Sequence, residues 1–134
     1  MQQEHNEQVA LFKMAASLET QYPELSLLFA VPNGGKRISH KDKNGRYYSP
    51  AGQWLVAEGL RKGVPDVWLP IMRNGHPGVV IEMKSEKGRL RPEQIEWLHK
   101  LREQGWITEV CRSWVDAINI LMEYLIGDKW NEIE

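Results

Sequence analysis

The amino-acid sequence predicts a single α/β domain in which helices flank a mixed sheet. The chain has 134 residues, of which 42% are apolar, enough for one hydrophobic core and too few for two. Short apolar runs bounded by turn residues alternate with stretches of helical periodicity, and this interspersion is typical of α/β folds. Cys111 is the only cysteine, which excludes a scaffold of internal disulfides and favours a reducing, intracellular setting.

The first part of the chain predicts a helix, a strand and a long loop. Apolar residues repeat at helical spacing within residues 2–18, and this helix is expected to end before Pro23. The apolar run over 25–31 predicts a buried strand. Residues 33–49 are polar and contain three glycines, which predicts a loop, and loops of this length are usually functional or mobile.

The middle of the chain predicts a helix followed by a β-hairpin. Ser49 and Pro50 form a helix-start signature, a hydroxyl cap followed by proline in the first turn, and Gly63 is expected to end this helix. Residues 66–70 and 78–84 are short apolar runs separated by the turn-forming sequence RNGHPG. They therefore predict two strands paired as a hairpin.

The C-terminal part predicts a helix, a strand and a second helix. Pro92 starts the first helix, residues 108–111 form a short strand, and Ser113 resembles the N-cap of the last helix. The residues after this helix are polar and acidic. We therefore expect one domain over 1–127 and a short, frayed acidic tail over 128–134.

A polar set lies on the predicted hairpin. Because strand side chains alternate, Glu82 and Lys84 share one face of their strand, and strand pairing can bring Asp66 alongside Glu82. Burying a carboxylate in so apolar a strand costs several kcal/mol unless the charge is paired or bound to a metal ion. The pattern therefore predicts either an exposed ion pair on the solvent face of the strand or a metal site.

The metal interpretation has a definite chemistry. A hard cation such as Mg²⁺ prefers carboxylate and carbonyl oxygens, and Asp66, Glu82 and the backbone carbonyl of Met83 could supply them. Lys84 would then orient or activate a water molecule and stabilise charge on a phosphate. This arrangement favours metal-assisted hydrolysis of phosphodiesters.

The sequence around these residues resembles the VRR-NUC family, a branch of the PD-(D/E)XK nuclease superfamily. The resemblance rests on GVPDVWLP, on GVVIEMKSEKGRLRPEQIEWLHKLREQGW, and on EHNEQVALF and PNGGKR nearer the N-terminus. It covers the chain from about Glu4 to Leu125. It implies a restriction-endonuclease-like αβββαβ core, dependence on Mg²⁺ or Mn²⁺, and cleavage of DNA.

The resemblance also implies roles for individual residues. It makes Asp66 and Glu82 metal ligands and Lys84 the catalytic lysine. Gln94 matches the family's glutamine near the active site, and Glu4 matches its acid on the N-terminal helix, a further candidate ligand. Glu7, on the same helix, is the competing candidate for this acid. The catalytic set is therefore expected to be Asp66, Glu82, Lys84, Gln94 and Glu4. The sequence departs slightly from the family pattern at Arg91, where a serine-type helix cap is common.

The net charge of −1 hides two basic stretches. Residues 34–62 contain seven Lys or Arg and two acids, and residues 84–91 contain four basic residues and one acid. Basic side chains at this spacing suit contacts to phosphates, although any one of them could simply be solvated. The residues expected to bind DNA are Asn33, Gly34, Lys36, Arg37, Lys41, Lys43, Arg46, Lys87, Arg89 and Arg91.

Taken together, these features predict a Mg²⁺- or Mn²⁺-dependent, structure-selective DNA endonuclease. The chain has no obvious base-reading module, and compact members of the family resemble Holliday junction resolvases, which implies a homodimer acting on branched DNA. A monomeric flap- or end-processing nuclease and a non-catalytic DNA-binding module remain alternatives. The polar N-terminus and the absence of a long apolar run predict a cytoplasmic protein without a signal peptide or membrane segment.

Overall fold

Four strands form one mixed sheet in the computed structural model, which describes residues 2–32, 40–41, 47–48 and 50–133. The helices are α1 (Gln2–Leu18), α2 (Pro50–Ala57), α3 (Pro92–Glu103), α4 (Trp114–Ile126) and α5 (Lys129–Ile133). The strands are β1 (Phe29–Ala30), β2 (His40–Lys41), β3 (Tyr47–Tyr48), β4 (Val67–Leu69), β5 (Val79–Met83) and β6 (Ile107–Cys111). Within the described ranges, no helix is both long enough and apolar enough to cross a membrane.

The strand order in the sheet is β1-β4-β5-β6. The pairs β1–β4 and β4–β5 are antiparallel and the pair β5–β6 is parallel, so the predicted mixed sheet and the predicted hairpin are confirmed. The strands β2 and β3 form a separate antiparallel pair. Apart from this pair and α2, the elements follow the order αβββαβ and then α4 and α5, which confirms the predicted fold class.

Strand β5 lies inside the sheet, and all five of its residues are buried. Its sequence is almost continuously apolar because both of its faces are covered. On one face Val79, Ile81 and Met83 join the core that α1 and α4 complete. The other face carries Glu82, and Gln94 of α3 contacts it there. The fold therefore places a carboxylate in the interior, within reach of a helix start.

The segment before β1 differs from the buried strand predicted over 25–31. It forms a 3₁₀ helix, Pro23–Leu27, and only Phe29–Ala30 pair as a strand, with both residues exposed. Proline in the first turn favours a helical start, and Leu25 and Leu28 enter the core from this turn. The prediction is wrong because the apolar residues anchor a turn and do not line a strand.

Two helices also differ from the prediction. Helix α2 ends at Ala57, well before Gly63, because Gly59 adopts a φ of +108° that a helix cannot continue through. The expectation of a frayed tail over 128–134 is wrong as well, because Lys129–Ile133 form α5. Trp130 of α5 is only 5% exposed, and its indole N–H donates a hydrogen bond to Asn119 Oδ1 at 2.9 Å.

The remaining elements follow the prediction. Helix α1 covers the predicted residues, α3 begins at Pro92, and Ser113 caps α4 by accepting a hydrogen bond from the Asp116 N–H at 3.2 Å. Of the predicted loop over 33–49, the structure describes only the backbone of β2 and β3. The other residues of this loop lie outside the described residues.

Replacing Gly63 by Ala should destabilise the protein far more than replacing Gly59. Both glycines have a positive φ, +86° and +108°, which costs a side chain about 1 kcal/mol. A Cβ at Gly63 would also lie 2.7 Å from the backbone carbonyl of Glu93, whereas a Cβ at Gly59 would meet no atom within 4 Å. We expect Gly63→Ala to lose an additional ~2 kcal/mol in the free energy of unfolding, measured by urea denaturation. Equal losses for the two variants would contradict the close packing of this segment on α3.

Candidate active site

Two carboxylates meet at one end of the β4–β5 hairpin. Asp66 directly precedes β4, and the register pairs Val67 with Ile81, so Asp66 lies opposite Glu82. Asp66 is 2% exposed and Glu82 is 1% exposed. The predicted juxtaposition is present, and it is buried.

The backbone on both sides of Asp66 is held in place. Asp66 Oδ2 accepts a hydrogen bond from the Met83 N–H at 2.9 Å, and the Asp66 carbonyl accepts one from the Val31 N–H at 2.7 Å. In an extended strand the N–H and C=O of one residue point to the same side. The Met83 carbonyl is therefore directed toward the side on which Asp66 lies.

Glu82 is the least satisfied polar group of the site. Its Oε1 accepts a hydrogen bond from Gln94 Nε2 at 3.1 Å, but its buried Oε2 has no hydrogen-bond partner among the described residues. Burial, followed by the nearby negative charge of Asp66, raises the pKa of Glu82 to about 9, although Lys84 acts in the opposite direction. The geometry thus leaves a buried carboxylate oxygen that a bound cation would satisfy.

Lys84 completes the predicted trio. It follows β5 directly, its N–H donates a hydrogen bond to the Cys111 carbonyl at 2.9 Å, and the residue is 9% exposed. Its charge lowers the pKa of Glu82 and opposes the rise in the pKa of Glu4. The alternative of an exposed ion pair on the solvent face of the strand is wrong, since both side chains are buried.

Gln94 connects the start of α3 to the carboxylates. Its Oε1 accepts a hydrogen bond from the Arg91 N–H at 2.8 Å while its Nε2 donates to Glu82. The side-chain amide therefore caps the helix and orients Glu82 at the same time. This contact also explains how a helix can start after Arg91 without a serine-type cap, because the glutamine satisfies the free backbone N–H.

The two candidate acids of α1 have different surroundings. Glu7 Oε2 accepts a hydrogen bond from the Trp114 N–H at 3.3 Å, at the positive end of α4. Glu4 is half-buried, and its pKa is raised by burial and then by the charge of Asp66. Of the two acids, Glu4 is therefore the one beside the site, and Glu7 joins two helices.

The donor set suits a hard cation that keeps several of its waters. Among the described residues, no three His, Cys, Asp or Glu side chains gather closely enough to hold a metal ion by themselves. Asp66 and Glu82 instead form a pair, with Glu4 nearby and the Met83 carbonyl directed toward them. Mg²⁺ and Mn²⁺ are commonly held by one or two carboxylates with water in the remaining positions, so the residues present fit such an ion.

The predicted DNA-binding residues fall into three groups. Lys87, Arg89 and Arg91 are exposed on the loop that leads from Lys84 to α3. For Lys41 the structure describes only the backbone, in β2. The predicted contacts that lie outside the described residues are Asn33, Gly34, Lys36, Arg37, Lys43 and Arg46.

Sequence reasoning missed Arg112, which contacts the loop after Lys84. Its guanidinium donates hydrogen bonds to backbone carbonyls of residues 24 to 27 positions earlier in the chain. No local motif marks such a contact, because it depends on the parallel pairing of β5 with β6.

Comparisons with known proteins agree with the fold. The model of the VRR-NUC domain matches residues 18–114. A solved structure described as a VRR_NUC domain protein is similar to this chain with a TM-score of 0.70 at 18% sequence identity, covering 92% of this chain and 88% of the other. At this level of identity the likeness concerns the fold. No curated protein matches the sequence.

Replacing Glu82 by Gln should make the stability of the metal-free protein less dependent on pH. Folding raises the pKa of Glu82 from 4.5 to about 9, so the folded state keeps a proton that the unfolded state releases. This contribution to stability is complete below about pH 4.5 and is lost as the pH rises toward 9. We expect the Tm of the wild type in EDTA to fall over this range and that of Glu82→Gln to fall less.

The control for this measurement is Glu123→Gln, the same change at an exposed position of α4, which should follow the wild type. Added Mg²⁺ should raise the Tm of the wild type by binding the folded state and should raise that of Glu82→Gln less. Parallel pH profiles for the wild type and Glu82→Gln would contradict the raised pKa.

Proposed function

The chain belongs to the VRR-NUC domain family, a family of nucleases, and from this premise we propose that it hydrolyses phosphodiester bonds of DNA with a divalent metal ion. The observation that carries the proposal is the burial of Asp66 and Glu82 side by side, with one Glu82 oxygen lacking a donor among the described residues. Two adjacent buried carboxylates destabilise a fold unless a cation or protons compensate their charge. A cation-binding role explains why the chain retains them.

In the proposed site Asp66, Glu82 and the Met83 carbonyl hold Mg²⁺ or Mn²⁺, and Glu4 contributes through water or directly. When bound, the ion supplies a Lewis acid that polarises the phosphate and activates a water molecule. The protein keeps these oxygens in place before the substrate arrives. The Met83 N–H fixes Asp66 and the Gln94 amide fixes Glu82, at 2.9 Å and 3.1 Å, so little reorganisation is needed during the reaction.

Lys84 is proposed to stabilise the charge that develops on the phosphate. The residue is largely buried, and a positive charge in a poorly hydrated site interacts with an anion more strongly than one in water. In the reaction, water adds to phosphorus, the bond from phosphorus to the 3′ oxygen breaks, and a proton passes to that oxygen. The products are a 5′-phosphate and a 3′-hydroxyl.

The substrate is proposed to be branched DNA, recognised by its shape. The exposed cations beside Lys84 suit phosphate contacts, which position a protein on DNA without reading its sequence. Phosphate contacts of this kind support cleavage that does not depend on the base sequence.

A homodimer is proposed as the active assembly. Two-fold symmetry would place one active site on each of two strands of a junction. Helix α2 supports this proposal, since Trp54 is 73% exposed and large exposed aromatic side chains are enriched at interaction sites.

Replacing Lys84 by Ala should lower kcat by about 10²–10³-fold, the usual cost of removing one group that stabilises transition-state charge. Binding of DNA should change much less. The measurement is cleavage of a labelled branched DNA in Mg²⁺, with Glu82→Ala as a second variant that should lose activity through the metal site. Lys100→Ala is the matched control, because Lys100 pairs with Glu96 on the exposed face of α3 and should not affect cleavage. Activity of Lys84→Ala equal to that of the wild type would refute the proposed mechanism.

Paired, symmetric nicks on a four-way junction are expected, together with a sedimentation coefficient that corresponds to a dimer. Sedimentation velocity and a comparison of four-way junctions with flap substrates separate the proposal from its alternatives. A monomer that cuts only flaps would identify an end-processing nuclease. Binding of DNA without any cleavage in Mg²⁺ or Mn²⁺ would identify a non-catalytic module.

A further inference from the structure

The loop after Lys84 has a tight turn at its start. The Gly88 N–H donates a hydrogen bond to the Ser85 carbonyl at 3.1 Å, which closes a turn over residues 85–88. A Cβ at Gly88 would lie 2.8 Å from Ser85 Oγ, so the turn is too tight for a larger residue without movement of the serine. The exposed cations Lys87 and Arg89 lie within or directly after this turn.

One guanidinium nitrogen binds the carbonyls of this turn. Arg112 Nη1 donates to the Ser85 carbonyl at 2.7 Å and to the Gly88 carbonyl at 2.6 Å, with a longer contact of 3.4 Å to the Glu86 carbonyl. These carbonyls belong to a loop, so they do not accept the backbone hydrogen bonds of a strand or a helix. Hydrogen bonds from a charged donor are stronger than those between neutral groups. Arg112 is therefore a central support of the turn.

Arg112 is itself fixed relative to the catalytic strand. It follows Cys111, whose carbonyl accepts the Lys84 N–H at 2.9 Å and whose register partner is Met83. On the other side of the loop, the Glu86 N–H donates to Gln3 Oε1 at 3.2 Å, one residue before Glu4. The turn is thus held between the end of β6, where the Cys111 carbonyl contacts Lys84, and the start of α1, which carries Glu4.

The charge of Arg112 has no acidic partner within the described ranges. The ion pairs found there join Arg73 to Glu24, His99 to Glu103 and Lys100 to Glu96, and none includes Arg112. Its hydrogen bonds go to neutral backbone carbonyls. Arg112 therefore adds to the basic character of the loop while it holds the backbone.

We propose that Arg112 is a positioning residue for DNA, which holds the Ser85–Gly88 turn so that the cations Lys87 and Arg89 keep a fixed orientation beside Lys84. The inference rests on the proposed function, because it assumes that this loop contacts a phosphate backbone. A loop ordered before binding loses less conformational entropy when DNA binds. Arg112 should therefore affect the binding of DNA more than the chemical step.

The test compares Arg112→Ala, Arg112→Lys and, as a control for loss of charge, Lys129→Ala in α5. Hydrogen exchange reports the opening of residues 85–91 independently of activity, and steady-state cleavage separates KM from kcat. For Arg112→Ala we expect exchange of the Gly88 amide to become about 10-fold faster and KM for DNA to rise about 10-fold, with kcat within about 3-fold of the wild type. Arg112→Lys should restore part of both effects, because an ammonium also donates to carbonyls. Lys129→Ala should change neither.

The outcomes distinguish the support of the turn by Arg112 from its effect on DNA binding. Unchanged exchange in Arg112→Ala, at unchanged Tm, would overturn the support of the turn by Arg112, whether or not the protein is a nuclease. Faster exchange with an unchanged KM would overturn the link to DNA, as would a loss confined to kcat. If the wild type neither cleaves nor binds DNA, the proposed function fails, and the role of Arg112 toward DNA fails with it. The exchange measurement still decides whether Arg112 supports the turn.

Discussion

The pairing of β4 with β5 places two carboxylates next to each other inside the protein, and the other contacts of the site depend on this constraint. Burying a charge costs several kcal/mol, and in the metal-free protein a proton retained on Glu82 avoids the cost of a second buried charge beside Asp66. Asp66 is partly compensated by the Met83 N–H. Glu82 accepts a hydrogen bond from Gln94 at one oxygen, and burial followed by the charge of Asp66 raises its pKa to about 9. This unfavourable pair is more consistent with a cation site than with a stabilising core interaction.

The surrounding elements limit how far these carboxylates can move. Helix α3 is anchored to Glu82 through Gln94, and Gly63 allows the segment that leads to Asp66 to approach the start of that helix closely. Helix α1 brings Glu4 to the same end of the sheet, while Glu7 ties α1 to α4. Helices α1 and α4 also pack into the hydrophobic core. A site built in this way changes little in shape when a ligand binds, which favours catalysis that depends on preorganised charges.

Some contacts around the site were predictable because they follow from local rules. The alternation of side chains in β5 separates Val79, Ile81 and Met83 from Glu82, and the turn sequence between the two strands indicates a hairpin. The choice between Glu4 and Glu7 could not be made in this way, because it depends on where α1 lies relative to α4 and β5. The same is true of Trp130, whose burial comes from contacts with α4. A polar, charged C-terminal stretch gives no local indication of such packing.

The amino-acid sequence by itself determined the α/β class, the hairpin with Asp66 and Glu82, and the position of Lys84 on the same face as Glu82. These features depend on periodicity and turn chemistry, which act over a few residues. Only the tertiary structure decided that the trio is buried, that Glu4 and not Glu7 lies beside it, and that Arg112 supports the basic loop. Burial and contacts between residues far apart in the chain arise when helices and strands pack together, so local sequence does not specify them.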